Sequence, residues 1–363
     1  MTASLLLSVF PTFAVGGAQI RFTTLANQFG RSWRHAIVAM DGVTTARDRL
    51  DPALDVTFPP VEIRKGDLIG NVLRFRALLR ELRPRALLTH NFGSIEWSMA
   101  NRFRLAHQVH VEDGFGPEER SRQLPRRVWL RRVFLRGRTV ALPSQTLMRI
   151  ALETWKLRRR DVHYVPNGID LAGFAQSTAA PGWAGSGPVV GTVAALRPEK
   201  NIARLIRAFQ LAMPDGPARL VLVGDGGERG ALERLAGELG IADRVIFAGH
   251  VAQPASAMQA FDVFALSSDT EQMPISLLEA MASARAVAAT DVGDIRAMLP
   301  EPQGAFVTRP DDASLAEALR RLLGDGELRR SLGALNRAKA EQAFGQDQMV
   351  AHWADLLEGG ARR

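Results

Sequence analysis

"SSDTEQMPISLLEAMASARA", Ser267–Ala286, decides how the rest of the chain is read. Phe261–Ser268 reads as a strand, "SSDTEQM" as a loop at its carboxyl end, and Pro274 suits the first turn of a helix through Leu277–Met281. Glu271 therefore sits in the loop and Glu279 more than one turn into the helix. Free amides around Ile275 and Ser276 add the positive end of the helix dipole. Two carboxylates at that offset suit one elongated, hydroxyl-rich ligand, each accepting hydrogen bonds from a different part of it.

The same strand-to-helix grammar recurs on both sides of this stretch. Strand candidates are Leu5–Phe10, Ala36–Met40, Ala86–Thr89, Val109–Glu112 and Thr139–Leu142, then Val189–Val193, Leu220–Val223, Val245–Ala248, Val263–Leu266 and Ala286–Ala289. Periodic segments lie between many of them. In 68–82, for example, Leu68, Val72, Phe75, Leu79 and Leu82 recur on one helical face. Alternating helices and strands without polar alternation predict an α/β fold with parallel, doubly wound sheets. The small-residue stretch "STAAPGWAGSGP", Ser177–Pro188, reads as a linker between two such domains. We expect a domain over 1–170, joined by the C-terminal helix 344–363, and a second over 171–343. Ligands of such sheets bind at the carboxyl ends of the strands, and with two domains the expected site is the cleft between them.

Further turns carry suitable chemistry. In "LVLVGDGGERGALERL" a strand ends in Gly224-Asp225-Gly226 before a helix, where glycines let the backbone approach a phosphate. "AALRPEKN" places Arg197 and Lys200 in a loop before a periodic helix, a cation pair suited to a pyrophosphate. Gly16-Gly17 follows the first strand.

Together these motifs resemble the retaining glycosyltransferases of family 4, which have the GT-B fold: two Rossmann-like doubly wound domains facing a central cleft. Glu271 and Glu279 meet the family's E-x7-E signature, and "YVPNGIDLAGF" (164–174) matches its P-N-G-[IV]-D segment. "GGAQ", "LRPEKN" and "VGDG" fall in the order the family keeps its ligand loops. The resemblance implies a nucleotide-diphosphate sugar donor held mainly by the second domain and an acceptor held mainly by the first. It casts Lys200 and Arg197 on the leaving diphosphate, Glu271 on sugar hydroxyls and Glu279 on the ribose, with Gly16, Gly17, Gly224, Asp225, Gly226, Val251, Met273, Pro274, Ile275 and Ser276 as donor contacts. Where many relatives carry His-Gly, this chain has Asp113-Gly114, with His110 three residues earlier. Asp113, and then His110, is the expected group near the acceptor hydroxyl or donor sugar. No cofactor or metal is expected, since the chain has no D-x-D. Two carboxylates alone also fit glycoside hydrolysis, but a hydrolase has no need of phosphate-binding loops. Alternatives are a nucleotide-sugar epimerase of the same fold and an inactive sugar-nucleotide-binding protein.

Composition narrows the partners. The 363 residues include no cysteine, which excludes disulfides and a thiol nucleophile and agrees with a reducing, cytoplasmic setting. "MTASLLLSVF" lacks a basic leading segment and reads as a first strand rather than a targeting peptide. Residues 1–165 carry a balance of +13 and the remainder −5, within a net +8. The first half is therefore expected to face something anionic. "RSRQLPRRVWLRRVFLRGR", Arg120–Arg138, holds eight arginines with Trp129 and Phe134. It suggests contact with an anionic membrane surface, and a glycan or lipid-linked acceptor of the lipopolysaccharide or exopolysaccharide type. No nucleic-acid-binding module accompanies the charge.

Overall fold

The computed structural model describes residues 3–119, 122–175, 182–183, 187–251 and 254–359. Of the expected linker, 177–181 and 184–186 lie outside the described residues, as does Arg120. The chain forms two compact units, Met1–Asn167 with Asp347–Arg363, and Gly168–Gln346.

The first unit is built on a seven-stranded sheet of order β3-β2-β1-β4-β5-β6-β7. Its strands are β1 Ser4–Phe10, β2 Trp33–Ala39, β3 Val56–Thr57, β4 Ala86–His90, β5 His107–Val111, β6 Thr139–Leu142 and β7 Val162–Tyr164. All pairings are parallel. Both faces are covered, so the central strands β1, β4 and β5 are buried over nearly their whole length, their polar residues included. Helices α1 Gly17–Phe29, α2 Leu68–Leu82, α3 Ile95–Ala100 and α4 Pro125–Phe134 lie between strands. The C-terminal helix Gln346–Glu358 buries Met349, Trp353 and Leu357 in the same core as Leu6, Phe22 and Leu88.

The second unit has a six-stranded parallel sheet of order β10-β9-β8-β11-β12-β13. The strands are β8 Val189–Val193, β9 Arg219–Val223, β10 Val245–Gly249, β11 Val263–Leu266, β12 Ala286–Thr290 and β13 Val307–Thr308. One core layer joins Leu205, Phe209 and Leu319 to the sheet; the other joins Leu277, Met281 and Phe264.

In each sheet the chain starts in the middle and winds outward both ways. The order reverses between β1 and β4 in the first unit and between β8 and β11 in the second. At such a reversal the loops at the strands' carboxyl ends diverge and open a crevice. The loops that follow β8 and β11 carry Lys200 and Glu271.

The expected apolar face of α2 is met in part: Phe75 and Leu79 are buried, with Asn71 and Leu78 beside them, while Leu68 is 38% exposed. In α4 Arg131 is fully buried while Trp129 is 57% exposed.

Candidate active site

The second unit gathers its motif residues at the β8/β11 reversal. Lys200 Nζ donates to Glu271 Oε1 at 2.5 Å, and Ser268 Oγ donates to the same oxygen at 2.7 Å. The resemblance casts Lys200 on the diphosphate and Glu271 on sugar hydroxyls. Because β8 and β11 are neighbours, the two side chains also meet directly.

The two loops are stitched below this pair. Arg204 Nη1 lies 2.8 Å from Asp269 Oδ1 and donates to the Ser267 carbonyl at 2.7 Å. Ser267 Oγ donates to the Lys200 carbonyl at 3.0 Å, and the Asp269 amide donates to the Glu199 carbonyl at 2.9 Å. Asn201 caps the helix Ile202–Ala212 by accepting from the Arg204 amide, and reaches Asp269 as well. Arg204, Asp269, Asn201 and Ser268 were missed in the sequence. Asn201, Ser268 and Asp269 lay inside motifs already quoted, and their spacing from Lys200 and Glu271 was the available signal.

Arg197 lies apart from this cluster: it is exposed, with no side-chain partner among the described residues. Its guanidinium is free for a ligand, whereas the Lys200 ammonium is already paired. Pro274 caps the helix Ile275–Ala282, so the Ile275 and Ser276 amides lie in a first turn that supplies no intrahelical acceptors for them. Glu279 is half-buried on that helix; Met273 and Val251 pack into its apolar core layer.

Gly224 and Gly226 have a nearer reason for being glycine than ligand approach. Gly224 has φ of +130°, and a Cβ there would sit 1.9 Å from the Ala194 carbonyl oxygen; at Gly226 it would sit 2.4 Å from that of Leu196. The loops after β8 and β9 thus pass backbone against backbone. Asp225 is exposed beside them.

In the first unit Gly16 caps α1 and Gly17 begins it. From the next turn of that helix, the buried Arg21 forks onto Asp113 at 2.5 and 2.9 Å and reaches Asn167 Oδ1 at 3.1 Å. Asn91 Oδ1 accepts the Asp113 amide at 2.7 Å. Arg21, Asn91 and Asn167 were not singled out from the sequence. Asn167 belongs to the P-N-G segment, and its bond to Arg21 gives that asparagine a physical role. The Arg21 guanidinium engages both carboxyl oxygens and so fixes the Asp113 side chain in place.

His110 is corrected. It is fully buried one residue before the end of β5, with Nδ1 2.9 Å from Thr89 Oγ1 and Nε2 3.7 Å from Glu112. A ring without exposed surface touches no ligand here. Beside it, Arg131 binds Glu112 at 3.0 Å and Glu119 at 3.1 and 3.2 Å, with its guanidinium against Phe92, Phe115 and Trp155. Burial pushes the Glu112 carboxyl up, but Arg131 and His110 outweigh it and hold the group below its usual range. The segment Glu112–Glu119 is thereby tied at both ends to one side chain.

A polar cavity of about 440 Å³ lies at the other end of this sheet, lined by Arg104, His107, Arg138 and Thr139. It adjoins the amino ends of β5 and β6, away from the motif loops.

Residues 15–172 match the family model "Glycosyltransferase Family 4", and residues 175–339 match "Glycosyl transferases group 1". Among curated proteins, D-inositol 3-phosphate glycosyltransferase of Nocardia farcinica is 29% identical over 74% of this chain and 62% of its own length. Lipopolysaccharide core biosynthesis glycosyltransferase LpsD of Rhizobium meliloti is 32% identical over 45% of this chain and 47% of its own. The chain thus spans less than two thirds of these relatives' lengths. Anabaena HepE, solved in complex with UDP-glucose, superposes with a TM-score of 0.83 at 21% identity, covering 98% of this chain and 100% of that one, which establishes a shared fold.

Proposed function

The chain belongs to the glycosyltransferases of family 4, with the GT-B fold, and from that premise we propose that it is a retaining, metal-independent transferase. It would move a sugar from a nucleoside-diphosphate sugar to a hydroxyl of a glycan or lipid-linked acceptor in lipopolysaccharide or exopolysaccharide assembly. The observation that carries the reading is the Lys200–Glu271 pair at the β8/β11 reversal.

In the reaction the acceptor oxygen bonds to the anomeric carbon as the bond to the diphosphate breaks. The electron pair leaves with the diphosphate, and the hydroxyl proton passes to it. Charge therefore grows on the leaving group while the sugar becomes oxocarbenium-like, and groups already aimed at the diphosphate stabilise that state. Lys200 and the unpaired Arg197 supply positive charge, and the first-turn amides of Ile275 and Ser276 supply oriented donors. Glu271 holds Lys200 in place and accepts from sugar hydroxyls, while Glu279 takes the ribose. Asp113, fixed by Arg21, accepts from a hydroxyl.

LpsD and the phosphatidyl-myo-inositol mannosyltransferase of Mycolicibacterium smegmatis, 33% identical over 47% of this chain, favour a lipid-associated acceptor. The outward face of α4 and the turn after it suit an anionic membrane surface: Arg132 and Arg136 are exposed with Trp129 and Val133. No helix among the described residues is long and apolar enough to cross a membrane.

Incubation with UDP-, GDP- and ADP-sugars tests the function. Transfer, or slow donor hydrolysis, that disappears in Lys200→Ala supports it; isomerisation of the sugar, or binding without turnover, overturns it.

A further inference from the structure

Between the start of α2, α3 and α4 runs a groove of about 380 Å³, lined by Leu68, Phe92, Ile95, Met99, Leu124 and Leu130. Leu68 and Leu124 are 38% and 41% exposed, so its apolar walls stand open to water. Its place in the sheet is informative. Phe92 lies just past the carboxyl end of β4, and its amide faces Glu112 Oε1 at 3.3 Å. The preceding residue, Asn91, holds the Asp113 amide. The groove therefore opens beside the Asp113 loop, at the end of the sheet where ligands bind.

Charge at the rim selects the ligand further. Arg127 is already neutralised, lying 2.5 Å from Glu118 and 3.2 Å from Glu119. Arg126, one residue earlier, is exposed and has no ion-pair partner among the described residues. Glu96 is the acidic residue in the lining, and burial pushes its carboxyl up, toward the neutral form. An apolar trough with one unpaired cation at its edge complements an amphiphile with one anionic head.

We propose that this groove binds a lipid phosphate, its hydrocarbon chain along Leu68, Leu124 and Leu130 and its phosphate on Arg126, and that the acceptor sugar is carried on such a lipid. The inference rests on the transferase reading and names the acceptor class.

The test is binding of farnesyl phosphate by titration calorimetry without any donor, with farnesol and inorganic phosphate as comparison probes. Farnesyl phosphate binds at least about tenfold more tightly than either probe, since chain and head each contribute. Leu124→Glu and Leu68→Glu, both at exposed positions, abolish binding with unchanged circular dichroism. Arg126→Ala weakens it, and Trp129→Ala, on the outward face of α4, leaves it intact. Equal binding of inorganic phosphate or farnesol overturns the proposal, as does binding that survives both glutamate variants or is lost in Trp129→Ala. A thermal shift with UDP, read on the same proteins, separates the two readings: its absence in the wild type undermines the donor site whatever the groove does.

Discussion

Arg21 and Asp113, 92 residues apart in sequence, form a fork-to-fork pair at 2.5 and 2.9 Å in the first unit. The same guanidinium reaches Asn167 at 3.1 Å and lies 5.7 Å from the Trp353 ring. One buried cation thus joins α1, the loop after β5, the P-N-G segment and the C-terminal helix.

Removing it leaves Asp113 with a mostly buried, unpaired carboxylate. Arg21→Met is expected to lower unfolding stability by roughly 3 kcal/mol. Arg21→Lys keeps the charge but has no fork to match two oxygens, and recovers only part of the loss. Urea unfolding of the three proteins checks this; identical midpoints would remove the pair from the account.

Lys200→Ala acts on chemistry more than on folding. The pair is partly shielded, with Lys200 25% and Glu271 9% exposed, and Ser268 still donates to the carboxylate, so losing Lys200 costs about 1–2 kcal/mol of stability. Transition-state charge on the diphosphate is another matter, and turnover is expected to fall about 100- to 1,000-fold. Steady-state transfer rates alongside melting curves separate the two effects. Retained turnover would place the leaving group elsewhere.

Ten of the thirteen strands among the described residues were legible in the sequence, because most of them carry a short apolar run without polar alternation. The three missed, β3, β7 and β13, are two- or three-residue edge strands, too short to show any period. Motif residues at strand ends were legible for a related reason: a strand-to-helix turn fixes where the next few side chains sit. Long-range ion pairs were not. Nothing near Arg21 announces Asp113, and nothing in α4 marks Arg131 as the arginine turned inward onto Glu112 and Glu119. His110 had a readable signal that was underweighted, since it lies amid a parallel strand covered on both faces.

Two more buried histidines set an acid limit on stability. His35 and His90 have no hydrogen-bond partner for either ring nitrogen among the described residues. Burial, against a small opposing effect of Asp55, lowers the His35 pKa from 6.5 to about 4. Burial, with Arg21 and His110 nearby, holds His90 well below its usual value. The unfolded chain protonates first, so stability is intact above pH 6.5 and declines as pH falls toward 4, by about 3 kcal/mol for His35. Urea midpoints at pH 7.5 and pH 5 should differ less in His35→Leu than in the wild type. An equal difference would assign the acid sensitivity to other groups.

Gly293, in the loop after β12, bears directly on Glu271 although no motif pointed to it. Its φ is +59°, and a Cβ there would lie 2.2 Å from the Glu271 carbonyl oxygen and 3.0 Å from that of Gln272. Both contacts are backbone, so neither can swing aside as a side chain would. Gly293→Ala therefore combines left-handed strain of about 1–2 kcal/mol with displacement of the segment that carries the Glu271 carboxylate. Gly240→Ala is the matched control: φ is +68° there, and nothing lies within 4 Å of the added methyl. Both variants should lose similar stability from strain, but Gly293→Ala should also lose about tenfold in donor affinity, through the shifted Glu271–Lys200 pair. Calorimetric titration of the nucleotide sugar into both proteins decides it. Equal affinities would mean that the backbone position of Glu271 does not govern donor binding.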